Sequence, residues 1–159
     1  MSRHVRCTVN GEAAELRVED RDLLADALRD QLGLKGLHVA CGEGACGTCT
    51  VLLDGRGVRS CLLFAAQVEG RALTTVEGLS SAEALGPVPR AFAERGAGQC
   101  GYCTSGMVLA APAGRARCER GPRAAEVAAA MGGRLGRCTG SASRGRAVRQ
   151  AAEELLRTP

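Results

Sequence analysis

The sequence predicts an α+β protein in two parts. A mixed sheet crossed by one helix, a β-grasp arrangement, is expected over residues 1–78, and an all-α four-helix domain over 79–159. Three observations carry this. Apolar and polar residues alternate on both sides of Asn10-Gly11. A glycine-spaced run of cysteines at 41–49 interrupts the strand pattern. From residues 77–90 onward the texture changes, with alanine dominant and β-branched residues few.

In order, residues 3–9 form the first strand, and Asn10-Gly11 is the strongest short hairpin signal, returning the chain over 13–19 with Ala14, Leu16 and Val18 on one face. Cys7 lies on the apolar side of the first strand, as a small core residue does. Asp20 or Asp22 is expected to cap a helix over 23–32. Its Leu24, Ala27, Leu28 and Leu32 share one stripe, and Gly33 ends it. After the cysteine run, Thr50–Leu53 is a strand, Asp54-Gly55 a turn, Val58–Ser60 the partner strand leading to Cys61, and Ala72–Val76 a last short strand. Glu77–Ser81 is a linker, and Pro87 and Pro89 interrupt any long helix. Helices are expected near 88–95, 104–111, 123–132 and 143–157, with Gly96–Gly98, Gly132-Gly133 and the stretch containing Pro112, Gly114 and Gly121-Pro122 between them. The last helix places Val148, Ala151, Ala152, Leu155 and Leu156 on one face.

Hydrophobic residues make up 45% of the 159 but aromatic ones only 2%, so both cores must be built from Leu, Val and Ala. Residues 1–80 hold 9 Lys/Arg and 11 Asp/Glu, net −2; residues 81–159 hold 12 and 6, net +6. A basic half with almost no rings for stacking argues against nucleic acid as the partner. No apolar run approaches a membrane span. Met1–Val5 leads straight into the alternating pattern with no apolar leader, so the nine cysteines are expected to be cytoplasmic, reduced and largely metal-bound.

Cys41, Cys46, Cys49 and Cys61 stand as C-x4-C-x2-C…C. That is the spacing by which plant-type loops hold a [2Fe–2S] cluster, three thiolates from one tight bend and a fourth from a following segment. Gly42, Gly44 and Gly47 suit a bend that must bring backbone N–H groups to sulfur. Zinc sites more often pair their cysteines as two C-x2-4-C units. His38 precedes the loop and is taken as a loop residue, since four thiolates are already supplied. No G-x-G-x-x-G lies between a strand and a helix, so flavin or nicotinamide binding by this chain is not expected.

A second set follows. Cys100 and Cys103 form a C-x2-C at the mouth of one helix, and Cys138 lies at the mouth of the last. Helix N-termini favour thiolates and bound sulfur.

Taken together, Cys41–Cys49, Ser60-Cys61, Gln99-Cys-Gly-Tyr-Cys-Thr104, Gly106-Met107 and Arg137-Cys-Thr-Gly140 resemble the small iron–sulfur subunit of the molybdenum hydroxylases, the xanthine dehydrogenase and aldehyde/carbon monoxide oxidoreductase family, over nearly the whole chain. The resemblance implies a ferredoxin-like domain and a helical domain, each with a [2Fe–2S] cluster. It implies a molybdopterin-binding large subunit and a FAD-binding medium subunit as partners, with Gln99 and Cys138 near the pterin. The chain would pass electrons and do no substrate chemistry.

One position departs from the pattern. The family's second site pairs its C-x2-C with Cys-Arg-Cys, and here Gly136 stands first in that triplet; Ser105 and Ser141 replace the usual proline and tyrosine. The metal ligands of the second site are then Cys100, Cys103 and Cys138. The fourth place is open to Ser141, Ser143, a solvent oxygen or Cys118. For Cys118 a helix after Cys103 would carry the chain roughly 20 Å away, at about 1.5 Å per residue, unless it folds back past Pro112. A second cluster with an incomplete or oxygen-bearing shell and an empty site both remain open. So do a stand-alone single-cluster ferredoxin-type carrier with a helical docking module, and a zinc site built from Cys100, Cys103, Cys118 and Cys138.

Overall fold

The computed structural model describes residues 2–115 and 124–157. Strands β1 (Arg3–Val9) and β2 (Glu12–Val18) form an antiparallel hairpin with Val5 opposite Leu16. Asn10 (φ 54°) and Gly11 (φ 90°) make its turn, both in the left-handed region that a two-residue hairpin demands. Helix α1 (Leu24–Gln31) crosses the sheet and buries Leu24, Ala25, Ala27 and Leu28. Strands β3 (Thr50–Leu53) and β4 (Arg56–Arg59) form a second hairpin, and β5 (Ala72–Thr74) completes the sheet. The order is β2-β1-β5-β3-β4, with β1 and β5 parallel and the other pairs antiparallel. Alternation places Val5, Cys7, Val9, Leu16 and Val18 in one core with α1 and Leu73.

The start of α1 differs from the expectation. Neither Asp20 nor Asp22 caps it; Leu23 is the N-cap and makes no side-chain cap hydrogen bond. Asp22 Oδ2 instead accepts from the Glu19 N–H at 2.8 Å. The Leu24 N–H donates to the Leu63 carbonyl at 2.8 Å, and the Ala65 N–H to the Asp22 carbonyl at 2.8 Å. A neighbouring segment has taken over the work of a cap, which local sequence does not reveal.

The remaining elements are helical. Helices α2 (Pro87–Glu94), α3 (Thr104–Arg115), α4 (Ala124–Met131) and α5 (Ser141–Arg157) surround a second core of Val88, Ala91, Phe92, Met107, Val108, Val127, Ala147, Val148 and Ala151. Pro87 and Pro89 fall in the first turn of α2, where a missing N–H is harmless. Helix α3 does not stop at 111 but continues past Pro112 to Arg115. Proline removes one N–H and bends a helix, but need not end it. Among the described residues no helix is long and apolar enough to cross a membrane.

Helix α3 packs against β3 and β4 as well as against its helical neighbours. This is why every residue of β3 is buried. The contact is backbone-close: a methyl group on Gly106 would collide with the Gly47 carbonyl oxygen and lie 2.8 Å from that of Thr48. The helical part is thereby seated directly on the first cysteine loop.

Candidate functional site

The first loop gathers its cysteines in two pairs. The Cys46 N–H donates to Cys41 Sγ at 3.4 Å. The β3–β4 register sets Thr50 opposite Arg59, and Ser60 bonds the Cys49 carbonyl through both its N–H (3.2 Å) and its hydroxyl (2.8 Å). The following residue, Cys61, therefore lands beside Cys49. Cys49 and Cys61 are buried, at 1% and 3% exposure, while Cys41 and Cys46 are half-buried. Gly42, Gly44 and Gly47 all hold positive φ, between 69° and 78°, which turns consecutive N–H groups inward.

Those N–H groups act on the thiols. The Cys41 thiol is drawn down to about 7, first by the Cys46 N–H and then by that of Glu43, with the Cys46 thiol and the Ala45 N–H adding to it. Cys61 is pushed up to about 11, first by burial and then by the neighbouring Cys49. The donors that make Cys41 acidic are the ones a cluster sulfur would use. Among the described residues no three His, Cys, Asp or Glu side chains close on a single metal ion. The thiols stand in twos, as a two-iron cluster takes them, so the donor set fits that group.

The second set also comes together, from separate elements. Cys103 immediately precedes α3, and Cys138 precedes α5 by three residues. Their loops bring Cys138 Sγ to 3.5 Å from Cys100 Sγ. Cys100 is lowered from its ordinary value by the Tyr102 N–H and then by the Cys138 thiol, and Cys138 is correspondingly raised by Cys100. Cys103 faces the position of the missing ligand: a Cβ built on Gly136 would lie 2.6 Å from Cys103 Sγ. The second set is thus one pair plus Cys103 opposite Gly136. Gln99 and Cys138 are exposed. Cys118 lies outside the described residues.

Of the residues that join the two loops, Arg59, Arg134 and Leu135 carry no sequence signal, while Tyr102 lies within the second cysteine motif. The Leu135 N–H donates to the Cys46 carbonyl at 2.8 Å, one residue before Gly136. Arg59 spans the junction: its Nε donates to the Gly44 carbonyl (3.3 Å), Nη1 to Thr50 Oγ1 (2.9 Å) and Nη2 to the Gly133 carbonyl (3.1 Å). Arg134 beside it is held down to about 10, first by burial and then by the Arg59 charge. His38 is a loop residue, as expected, but a structural one. Its ring stacks on Tyr102 with centroids 4.6 Å apart. Its Nδ1–H donates to the Tyr102 carbonyl at 3.0 Å, and the Tyr102 hydroxyl donates to the Val39 carbonyl at 2.8 Å.

Comparison with known proteins agrees with this geometry. Residues 7–80 match the model of a 2Fe-2S iron-sulfur cluster binding domain, and residues 75–149 that of a [2Fe-2S] binding domain. The xanthine dehydrogenase iron-sulfur-binding subunit of Escherichia coli O157:H7 is 39% identical over 137 residues, 86% of each chain. Caffeine dehydrogenase subunit gamma of Pseudomonas sp. strain CBB1 is 50% identical over 110 residues, 69% of this chain and 66% of that subunit. A crystal structure of quinoline 2-oxidoreductase from Pseudomonas putida 86 contains a chain that superposes with a TM-score of 0.93 at 41% identity, covering 98% of this chain and 96% of that one. The chain belongs to the family of small [2Fe–2S] iron–sulfur subunits of the molybdenum hydroxylases.

Proposed function

We propose that this chain is the electron-transfer subunit of a heteromeric, molybdopterin-dependent hydroxylase or dehydrogenase. Cys41, Cys46, Cys49 and Cys61 hold one [2Fe–2S] cluster, and Cys100, Cys103 and Cys138 hold the other. A large partner subunit carries molybdopterin and oxidises the substrate, and a medium partner carries FAD. Gln99 and Cys138, on the exposed face of the second loop set, turn toward the pterin. Electrons pass one at a time from the molybdenum centre through the second site and then the first to FAD. Plant-type clusters lie near about −400 mV, low enough to reduce a flavin. The chain makes and breaks no substrate bond, divides functionally between residues 78 and 79, and works in the cytoplasm.

The observation that carries this reading is the seam between the two cysteine loops. A single hydrogen bond, Leu135 N–H to the Cys46 carbonyl, connects a ligand of one site to the loop that holds Cys138 in the other. Arg59 and the His38–Tyr102 stack fix the same seam from either side. Two redox sites held at a constant separation by such a seam are what a relay needs.

The test is anaerobic purification of the chain with its native complex. Molybdenum and flavin should accompany it, and one member of a panel of aldehydes and N-heterocycles should bleach its visible absorption. A stable monomer with cluster absorption but neither molybdenum nor flavin in any fraction overturns the reading in favour of a stand-alone carrier.

A further inference from the structure

The corner where the second site lacks a cysteine is lined by a buried cation. A Cβ on Gly136 would lie 2.5 Å from Arg144 Nη2, 2.6 Å from Cys103 Sγ and 3.0 Å from Met107 Cε. Arg144 is 8% exposed, and both its Nε and Nη2 are buried without a hydrogen-bond partner among the described residues. A guanidinium is not left bare in a protein interior, because an unpaired buried charge costs far more than an unpaired amide. It also sits in the first turn of α5, where the positive end of the helix dipole makes a cation less favourable still.

No hydrogen bond or ion pair to a carboxylate reaches Arg144 Nε or Nη2 among the described residues. Residues 95–107 and 131–147, the two segments that build the site, contain no Asp or Glu. A negative charge held by the site itself would meet what Arg144 lacks. Three thiolates leave a [2Fe–2S] unit one negative charge short of a four-thiolate one, and net charge is one of the levers on its potential. The missing donor and the unpaired cation occupy the same corner.

We propose that a small exogenous monoanion with a single donor atom, a thiolate sulfur or a hydroxide oxygen, takes the fourth iron position beside Cys103 and is neutralised by Arg144. The inference rests on the reading that the second loop set holds a cluster. If a cluster is held here, a thiol would displace a water from that position and lose its proton to solvent, whereas hydroxide would arise there by loss of a proton from the water; neither would transfer an electron. Gly136 has two effects. It removes the protein's own ligand, and it leaves room for the Arg144 head group that recruits a replacement. The second site then has an exchangeable position, and the first, with four cysteines, has none.

The experiment uses the full chain in its complex, purified without air and without added thiol. Dithionite-reduced samples are titrated with 2-mercaptoethanol or azide and followed by electron paramagnetic resonance. About four irons per chain and two reduced-cluster signals are expected, one of them shifting saturably with either probe. A shift with 2-mercaptoethanol shows that the position accepts a thiolate, and a further shift on raising the pH shows that it accepts hydroxide; either supports the proposal. Arg144→Met keeps the iron and weakens the apparent affinity for the probe about tenfold or more, the loss of one charge-assisted hydrogen bond. Gly136→Cys abolishes the response, and Gly136→Ala, which fills the corner without a donor, weakens it should the cysteine variant misfold. Four irons with neither signal responding overturns the proposal. So does finding two irons in the wild type and four in Gly136→Cys, an outcome that leaves the first cluster and the electron-transfer role standing. Absence of iron from both sites would instead remove the electron-transfer role itself.

Discussion

The two cysteine sets bring their thiols together by different routes. In the first, three thiols come from nine consecutive residues, and a β-hairpin register delivers the fourth beside Cys49. Its inner pair is buried, and its glycines hold left-handed backbone angles that most other residues reach only with strain. In the second, Cys100, Cys103 and Cys138 come from loops preceding two helices, and Cys100 and Cys138 are exposed. A site whose ligands lie in one bend loses its geometry when any part changes. In a set assembled at helix mouths the packing of α3 and α5 around Met107, Ala147 and Val148 holds the loops, and a glycine at 136 is expected to leave that frame standing.

The largest test of that contrast is Cys46→Ser. It should remove about two irons per chain and roughly half of the visible absorption, read by metal analysis and spectrophotometry. Unchanged absorption would mean the first loop is not a cluster loop. The next test compares two glycines. Gly106→Ala pushes a methyl group into the backbone carbonyls of Gly47 and Thr48, and should destabilise by about 1–3 kcal/mol in urea unfolding. Gly136→Ala meets only the ends of the Arg144, Cys103 and Met107 side chains, which can move, and should cost under about 1 kcal/mol. The reverse order would show that the second site, not the first, is the rigid one.

A smaller effect is expected at the seam. Tyr102→Phe deletes the hydrogen bond to the Val39 carbonyl and keeps the stack on His38, costing about 1 kcal/mol or less. It should also raise amide hydrogen exchange at 38–40 and leave the β1–β2 hairpin unaffected. The smallest lies far from both sites. The Asp54 carboxyl is held below its ordinary value by the Ala72 N–H first and by Arg71 second. The folded state therefore favours its charged form. Its contribution is complete above the unfolded value of about 3.9 and is lost as pH falls through the folded one. Asp54→Ala should lower the melting temperature at pH 7, and the gap should close toward pH 3.

Local chemistry was readable where neighbours in sequence decide the outcome. Asn10-Gly11 and Asp54-Gly55 announced their hairpins, alternation announced the buried faces of β1 and β2, and the cysteine spacing announced the first loop. What escaped involved partners distant in sequence. The start of α1 is satisfied by the Leu63 carbonyl and not by an aspartate, and α3 runs on through Pro112. At the seam Arg59, Leu135 and His38 belong to no motif, and the role of Tyr102 there is not visible in its own.

Residue order by itself determined a β-grasp half, a helical half and two grouped sets of cysteines, because turn chemistry, periodicity and thiol spacing act over a few residues. It also exposed the absent cysteine at 136. Only the tertiary structure decided that the two loops touch through Cys46 and Leu135, and that Gly136 faces Cys103 with an unpaired Arg144 between them. The physical reason is that charge compensation and close approach depend on distance in space, and residues 103, 136 and 144 acquire theirs only when α3 and α5 pack.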